Sequence, residues 1–231
     1  FNADIITAKS SVGKYTGILY AKSVATTVLS NIAASNNTFS DTTDANDANF
    51  VSGTGLGWEN IAINLQISTV LALVKQSGGT LTIKESKFYD SDLKLGFMVS
   101  AGKLILTDFK AYDLTIRDSI VFAAGSSTVT MTGADIHDNA SGDYAISGVA
   151  IVDSSKLISS SSNYYSLSAP KCGFAFAQLS TLTLTNVNVS YVTVSGANAV
   201  IQAYLGTVSI TGSTFSYNEA QGGASMIQIT L

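Results

Sequence analysis

Six short segments of one kind recur along the chain: Thr80-Leu81-Thr82-Ile83, Lys103-Leu104-Ile105-Leu106, Thr128-Val129-Thr130-Met131, Lys156-Leu157-Ile158, Thr181-Leu182-Thr183-Leu184 and Thr207-Val208-Ser209-Ile210. Their apolar anchors, Leu81, Leu104, Val129, Leu157, Leu182 and Val208, stand 23, 25, 28, 25 and 26 residues apart. Seven positions beyond each anchor comes a second mark: Phe88, Ala111, Ile136, Tyr164, Val189 and Phe215. Six or seven positions before the anchors lies a third apolar group at Met98, Phe122, Ile151, Phe176 and Ile201. Self-similarity at such a period is the signature of a repeat architecture, in which each unit buries its apolar face only against its neighbours.

Period-two alternation within each segment places one side chain in and the next out, as in a half-buried strand. The connecting pieces carry the Gly, Ser, Asn and Asp that turns use, as in Ser77-Gly78-Gly79 and Thr211-Gly212-Ser213. Three strands in each 25-residue unit leave no room for a helix, which excludes a βαβ array and a leucine-rich horseshoe. The fold class expected is all-β, a parallel β-helix with three short strands per turn of about 25 residues and about seven to nine turns, stacked at about 4.8 Å. Composition agrees. The chain is 46% hydrophobic and only 12% charged, which excludes the disordered class. Ser and Thr supply 56 residues and Asn 14, so polarity comes from small hydrogen-bonding groups, and a single proline suits a backbone whose N–H groups are needed in ladders.

We expect residues 1–231 to form one coil. Its first 60 residues are less regular: Ile32 with Phe39, and Leu56 with Ile63, keep the seven-residue offset, and residues 41–57 read as a polar projecting loop. The closing Met226-Ile227-Gln228-Ile229-Thr230-Leu231 is a strand pattern. Neither end reads as a polar cap, so the coil is expected to be a segment of a longer one, or to pair through open ends with a neighbouring β-helix segment.

A formal net charge of -4 with Arg117 as the only arginine excludes nucleic-acid binding through a basic patch. The longest apolar runs, such as residues 199–205, fall far short of the roughly 18 residues of a membrane helix. The lone Cys172 has no disulfide partner within the chain. Sequons begin at Asn36, Asn139 and Asn188, as a secreted or surface glycoprotein would allow.

Near the end, Phe215-Ser216-Tyr217-Asn218 is followed by Gly222-Gly223-Ala224, and Ile136-His137-Asp138-Asn139 is a degenerate second copy. These resemble the F-x-x-N and G-G-A repeat of polymorphic outer membrane proteins and related surface proteins. More widely, residues 61–231 resemble pectin-lyase-like right-handed β-helices. The resemblance implies a right-handed coil and an extracellular or cell-surface adhesive or structural protein. It also implies that Asn139 and Asn218 point inward as ladder residues, which leaves Asn36 and Asn188 as the better glycan acceptors.

Three groups of residues are candidates for chemistry. Asp90, Asp113 and Asp138 each stand nine positions after an anchor; stacked on successive turns they would lie about 5 Å apart, the carboxylate separation of retaining glycosidases. Ser166, Tyr191 and Tyr217 interrupt that column on the next turns, which favours a surface polar ladder over a catalytic one. Asp41, Asp44 and Asp47, with Asn46 and Asn49, form an oxygen-rich stretch that is a weak calcium candidate lacking the Gly and terminal Glu of an EF-hand. No cofactor is expected. His137, the sole histidine, reads as outward surface decoration. Tyr112, Tyr191 and Tyr217 are the candidate partner-binding residues, with glycans among the candidate partners. The function expected is a non-catalytic extracellular structural or surface coil: a scaffold, coat or filament component. A polysaccharide lyase or hydrolase and a carbohydrate-binding adhesin are the alternatives.

Overall fold

The computed structural model describes residues 72–141, 148–196, 199–221 and 226–230, and ahead of them the backbone of nine strands between Asn2 and Ile67. All regular structure among the described residues is β, and every pairing is parallel. The chain is a parallel β-solenoid with about 26 residues per turn. No helix among the described residues is long and apolar enough to cross a membrane.

One face of the coil is a nine-stranded sheet in which each strand pairs with its counterpart one turn away. Its six later members are Thr80–Lys84, Lys103–Thr107, Thr128–Thr132, Lys156–Ser160, Thr181–Thr185 and Thr207–Thr211. Their register runs Leu81, Leu104, Val129, Leu157, Leu182, Val208 without a slip. Five turns are thus described with side chains. Asn2–Asp4, Thr27–Ser30 and Leu56–Glu59 carry the same ladder backward. The rest of each turn belongs to the second sheet. There Lys87–Ser100 and Lys110–Ala124 run as single bent strands, and later turns divide the same path into shorter pieces such as Asp135–Ser141 and Val149–Ile151.

Alternation fixes the inside. Leu81, Leu104, Val129, Leu157 and Leu182 are fully buried, as are Phe88, Ala111, Ile136, Tyr164 and Val189 in the column seven residues on. Burying one large aliphatic or aromatic side chain contributes about 1.5–3 kcal/mol, so each rung of these columns adds favourably to the folding free energy. Ring contacts fill part of the lumen: Phe88 stacks on Phe97 at 5.0 Å between centroids, and Phe109 meets both edge-on. Tyr164 brings a hydroxyl into this interior. Ser159 answers it in a column otherwise held by Ile83, Leu106, Met131 and Leu184, with the two oxygens 2.8 Å apart.

Each turn bends at three corners, and each corner contains a residue in the left-handed backbone region. These residues form three columns at fixed distances from the anchor: Gly78, Ala101, Ser126, Ser154, Leu179 and Leu205 three before it; Glu85, Asp108, Gly133, Ser161, Asn186 and Gly212 four after it; Asp90, Asp113, Asp138, Ser166, Tyr191 and Tyr217 nine after it. A single positive φ turns the chain while the interturn ladder continues, because the corner amide still bonds across, as Glu85 N–H does to Thr107 O at 2.9 Å. Asp and Asn tolerate this conformation far better than most residues because their short polar side chains bond locally.

The structure revises two parts of the sequence reading. In the third strand the register joins Met98, Phe122, Ala150, Phe176 and Gln202, whereas Ile151 and Ile201 fall in other columns. Met98, Phe122 and Phe176 are half-exposed, and Phe97, Val99, Val121 and Ala123 fill the core instead. Apolar residues on both faces of these strands hide which face is inner. Near the start, Thr27 and Ala34 occupy the columns of Leu56 and Ile63, so Phe39 pairs with Ile67. A polar residue at the Thr27 position concealed the frame, and Ile32 lies outside the described residues. Strands Asn49–Gly53 and Leu56–Glu59 also run through the later part of the expected loop at residues 41–57.

The corner account of the Asp column has a direct test. Asp113→Gly is expected to leave stability unchanged to within about 0.5 kcal/mol, while Asp113→Val, β-branched at a φ of 53°, is expected to lose about 1–2 kcal/mol in urea unfolding.

Candidate functional site

The outward face of the second sheet carries the chemistry-bearing side chains. One position past the buried Phe88, Ala111, Ile136 and Tyr164, the register aligns Tyr89, Tyr112, His137 and Tyr165 on successive turns. Parallel pairing sets such neighbours about 4.8 Å apart, close to the spacing of stacked rings. The four rings stack in sequence: Tyr89 on Tyr112 at 5.7 Å and 21°, Tyr112 on His137 at 5.2 Å and 4°, His137 on Tyr165 at 4.6 Å and 6°. The Lys87 ammonium lies 5.1 Å from the Tyr89 ring centre and closes that end of the row. Because the inner rings cover one another's faces, the row presents mainly ring edges outward.

Beside the row runs the corner column of Asp90, Asp113 and Asp138. Asp138 is 2.7 Å from His137 Nδ1, so it bonds to the imidazole and fixes the ring within the stack. Partial burial, followed by the negative charges of Asp135 and Asp138, raises the Tyr165 pKa above the usual phenol value. On the last two turns the outward column changes to Ser190 and Ser216, and aromatics move to the corner position. There Tyr191 and Tyr217 stack at 5.0 Å and 11°, with exposures of 57% and 77%.

Tyr112 therefore does not share a column with Tyr191 and Tyr217. It belongs to the Tyr89 row, and the other two form a pair at the corner beyond. The bend turns the single-residue offset between them into a different direction. The other members of the row, Tyr89, His137 and Tyr165, share a signal in the sequence, since all stand eight positions after an anchor. His137 points outward, half-exposed, as a stacked member of the row.

Asn139 and Asn218 lie ten positions after their anchors, just inside the same corner. Asn139 is 1% exposed. Its Oδ1 accepts from Leu114 N–H at 2.9 Å and its Nδ2 donates to Ala111 O at 3.0 Å, both one turn earlier. Asn218 repeats the pattern on Val192 N–H and Val189 O, each at 2.9 Å. Ser91 occupies this column on an earlier turn, where its hydroxyl donates to Tyr89 O. Asn188 opens the strand Asn188–Ser190 on the outward face and is half-exposed. The backbone of Asn36 lies in the strand Ala33–Phe39, and its side chain is outside the described residues, as are Asp41, Asp44, Asp47 and Gly222-Gly223-Ala224.

Among the described residues, Tyr164 and Cys172 are ionisable groups in the interior. Burial pushes the Tyr164 phenol up to about 12, against the lowering effect of its bonds to Ser159 and Ser162. Burial likewise pushes the Cys172 thiol up to about 12, and its Sγ donates to Ala175 O at 3.1 Å. A thiol so placed is a structural hydrophobe, not a nucleophile.

No protein-family model and no curated protein sequence matches this chain.

Two measurements follow from the site. Asn139→Leu strands the Leu114 N–H and Ala111 carbonyl without their bonds, and about 2–4 kcal/mol of stability should be lost in chemical unfolding. The second concerns pH. Tyr164 and Cys172 hold their protons more tightly folded than unfolded, so their contribution is fully present below pH 9 and lost as pH rises toward 12. Thermal scans should show stability falling between pH 9 and 12, with a shallower fall in Tyr164→Phe.

Proposed function

We propose that this chain is a non-catalytic extracellular or surface scaffold, a rigid coil that assembles end to end and displays its outward columns to partners. The observation that carries the reading is the unbroken ladder of parallel strands, in which the same columns repeat in register from turn to turn and build one continuous surface. Leu182, Leu184 and Val189 are fully buried, but their counterparts Val208, Ile210 and Phe215 are only partly covered. Ile227 and Ile229 are 37% and 52% exposed. Val208, Ile210, Ile227 and Ile229 continue the inner columns of Leu182, Leu184, Ile201 and Ala203 in register. The F-x-x-N resemblance at Phe215-Ser216-Tyr217-Asn218 supports a surface location and a right-handed coil on the same footing.

The rival reading, a polysaccharide lyase or hydrolase working through Asp90, Asp113 and Asp138, is weakened by the corner geometry. Positive φ values of 47° to 53° already account for aspartate at all three positions, and the same column accepts Ser166, Tyr191 and Tyr217. A carbohydrate-binding adhesin is the second reading, favoured by the exposed Tyr191–Tyr217 pair near the half-exposed Asn188.

Electron microscopy of the purified chain tests the proposal. Rods longer than one coil, shortened to single coils by Ile229→Lys with the β circular dichroism retained, are expected. Single coils at all concentrations for the unaltered chain would overturn assembly through the coil end. Cleavage of a glycan that disappears in Asp113→Asn would overturn the non-catalytic reading.

A further inference from the structure

We infer that Tyr191 and Tyr217 form a site of oxidative cross-linking, at which a covalent dityrosine bond staples the last two described turns together. The inference stands on the pair's geometry and does not depend on the scaffold reading. The rings face one another at 5.0 Å with planes 11° apart, and both are exposed, Tyr217 more than any other large apolar or aromatic residue described. They occupy the same corner on adjacent turns, with φ of 53° and 54°, so the backbone already holds the two phenols side by side. Such preorganisation gives a reaction within the chain a large advantage over one between chains.

The chemistry balances with a haem peroxidase and hydrogen peroxide as the oxidant. One electron leaves each phenol and each phenolic proton passes to water, which gives two phenoxyl radicals. A carbon–carbon bond forms between the Cε atoms ortho to the two oxygens, and each of those carbons passes its hydrogen to its own ring oxygen as aromaticity returns. The pair loses two electrons and two protons, and one hydrogen peroxide is reduced to two waters.

The other tyrosines with described side chains are less suited. Tyr164 is fully buried. Tyr165 stacks on His137, and Tyr204 faces Phe176. Tyr89 and Tyr112 are adjacent, but they are farther apart at 5.7 Å, less parallel, half-exposed, and flanked by Lys87 and His137. The staple closes a loop from Tyr191 to Tyr217, and closure of a loop of this length restrains the unfolded chain as a disulfide does.

The test is to expose the whole chain to a haem peroxidase and limiting hydrogen peroxide, then separate monomer from covalent oligomer. Dityrosine fluorescence is expected in the monomer fraction, with one cross-linked peptide pair containing Tyr191 and Tyr217 and lacking two hydrogens. Tyr217→Phe, which keeps the ring and the stack, should reduce monomer dityrosine to background with the circular dichroism unchanged; Tyr112→Phe should not reduce it. Undiminished monomer dityrosine in Tyr217→Phe, dityrosine confined to covalent dimers, or no dityrosine at all would each overturn the assignment.

Discussion

Everything in this molecule depends on a register that repeats from turn to turn. Each strand bonds to its equivalent about one turn away, so a residue's neighbours are set by its distance from the anchor rather than by its distance along the chain. A side chain suited to one column must tolerate a near copy of itself above and below. Leu stacks on Leu, ring on ring, and Asn on the backbone of the turn before. The same rule governs the outside, where Tyr89, Tyr112, His137 and Tyr165 are stacked because the backbone leaves them no other spacing.

The columns of Leu81 and Phe88 were legible in the sequence because their strands alternate cleanly and the seven-residue offset between them never changes. The strands of Met98 and Phe122 were harder, since both of their faces are apolar and alternation cannot say which is inner. The turn through Thr27 was illegible for the opposite reason, a polar residue at an apolar column. The stacked row was within reach, because its members share one offset. It was overlooked because Tyr112 was grouped with Tyr191 and Tyr217, whose positions differ by one residue and whose backbone lies in the bend.

The column of Asp90, Asp113 and Asp138 shows how a conformational requirement imitates a catalytic one. Acidic residues repeated at a constant offset suggest paired carboxylates. The backbone gives them a different reason to be there, since a left-handed corner favours Asp and Asn over most alternatives. Two of the six residues in the column are tyrosines, which shows that the bend specifies a conformation and leaves the exposed side chain open to variation.

The direction of the hydrogen bonds has a mechanical consequence. In each pair of turns the backbone bonds of both sheets point along the axis of the coil, and the corner amides add theirs at the bends. Tension applied along that axis loads all the bonds between two turns together, whereas a pull on one strand's end would part them singly. The coil should therefore be stiff and strong when stretched lengthwise and weak to peeling.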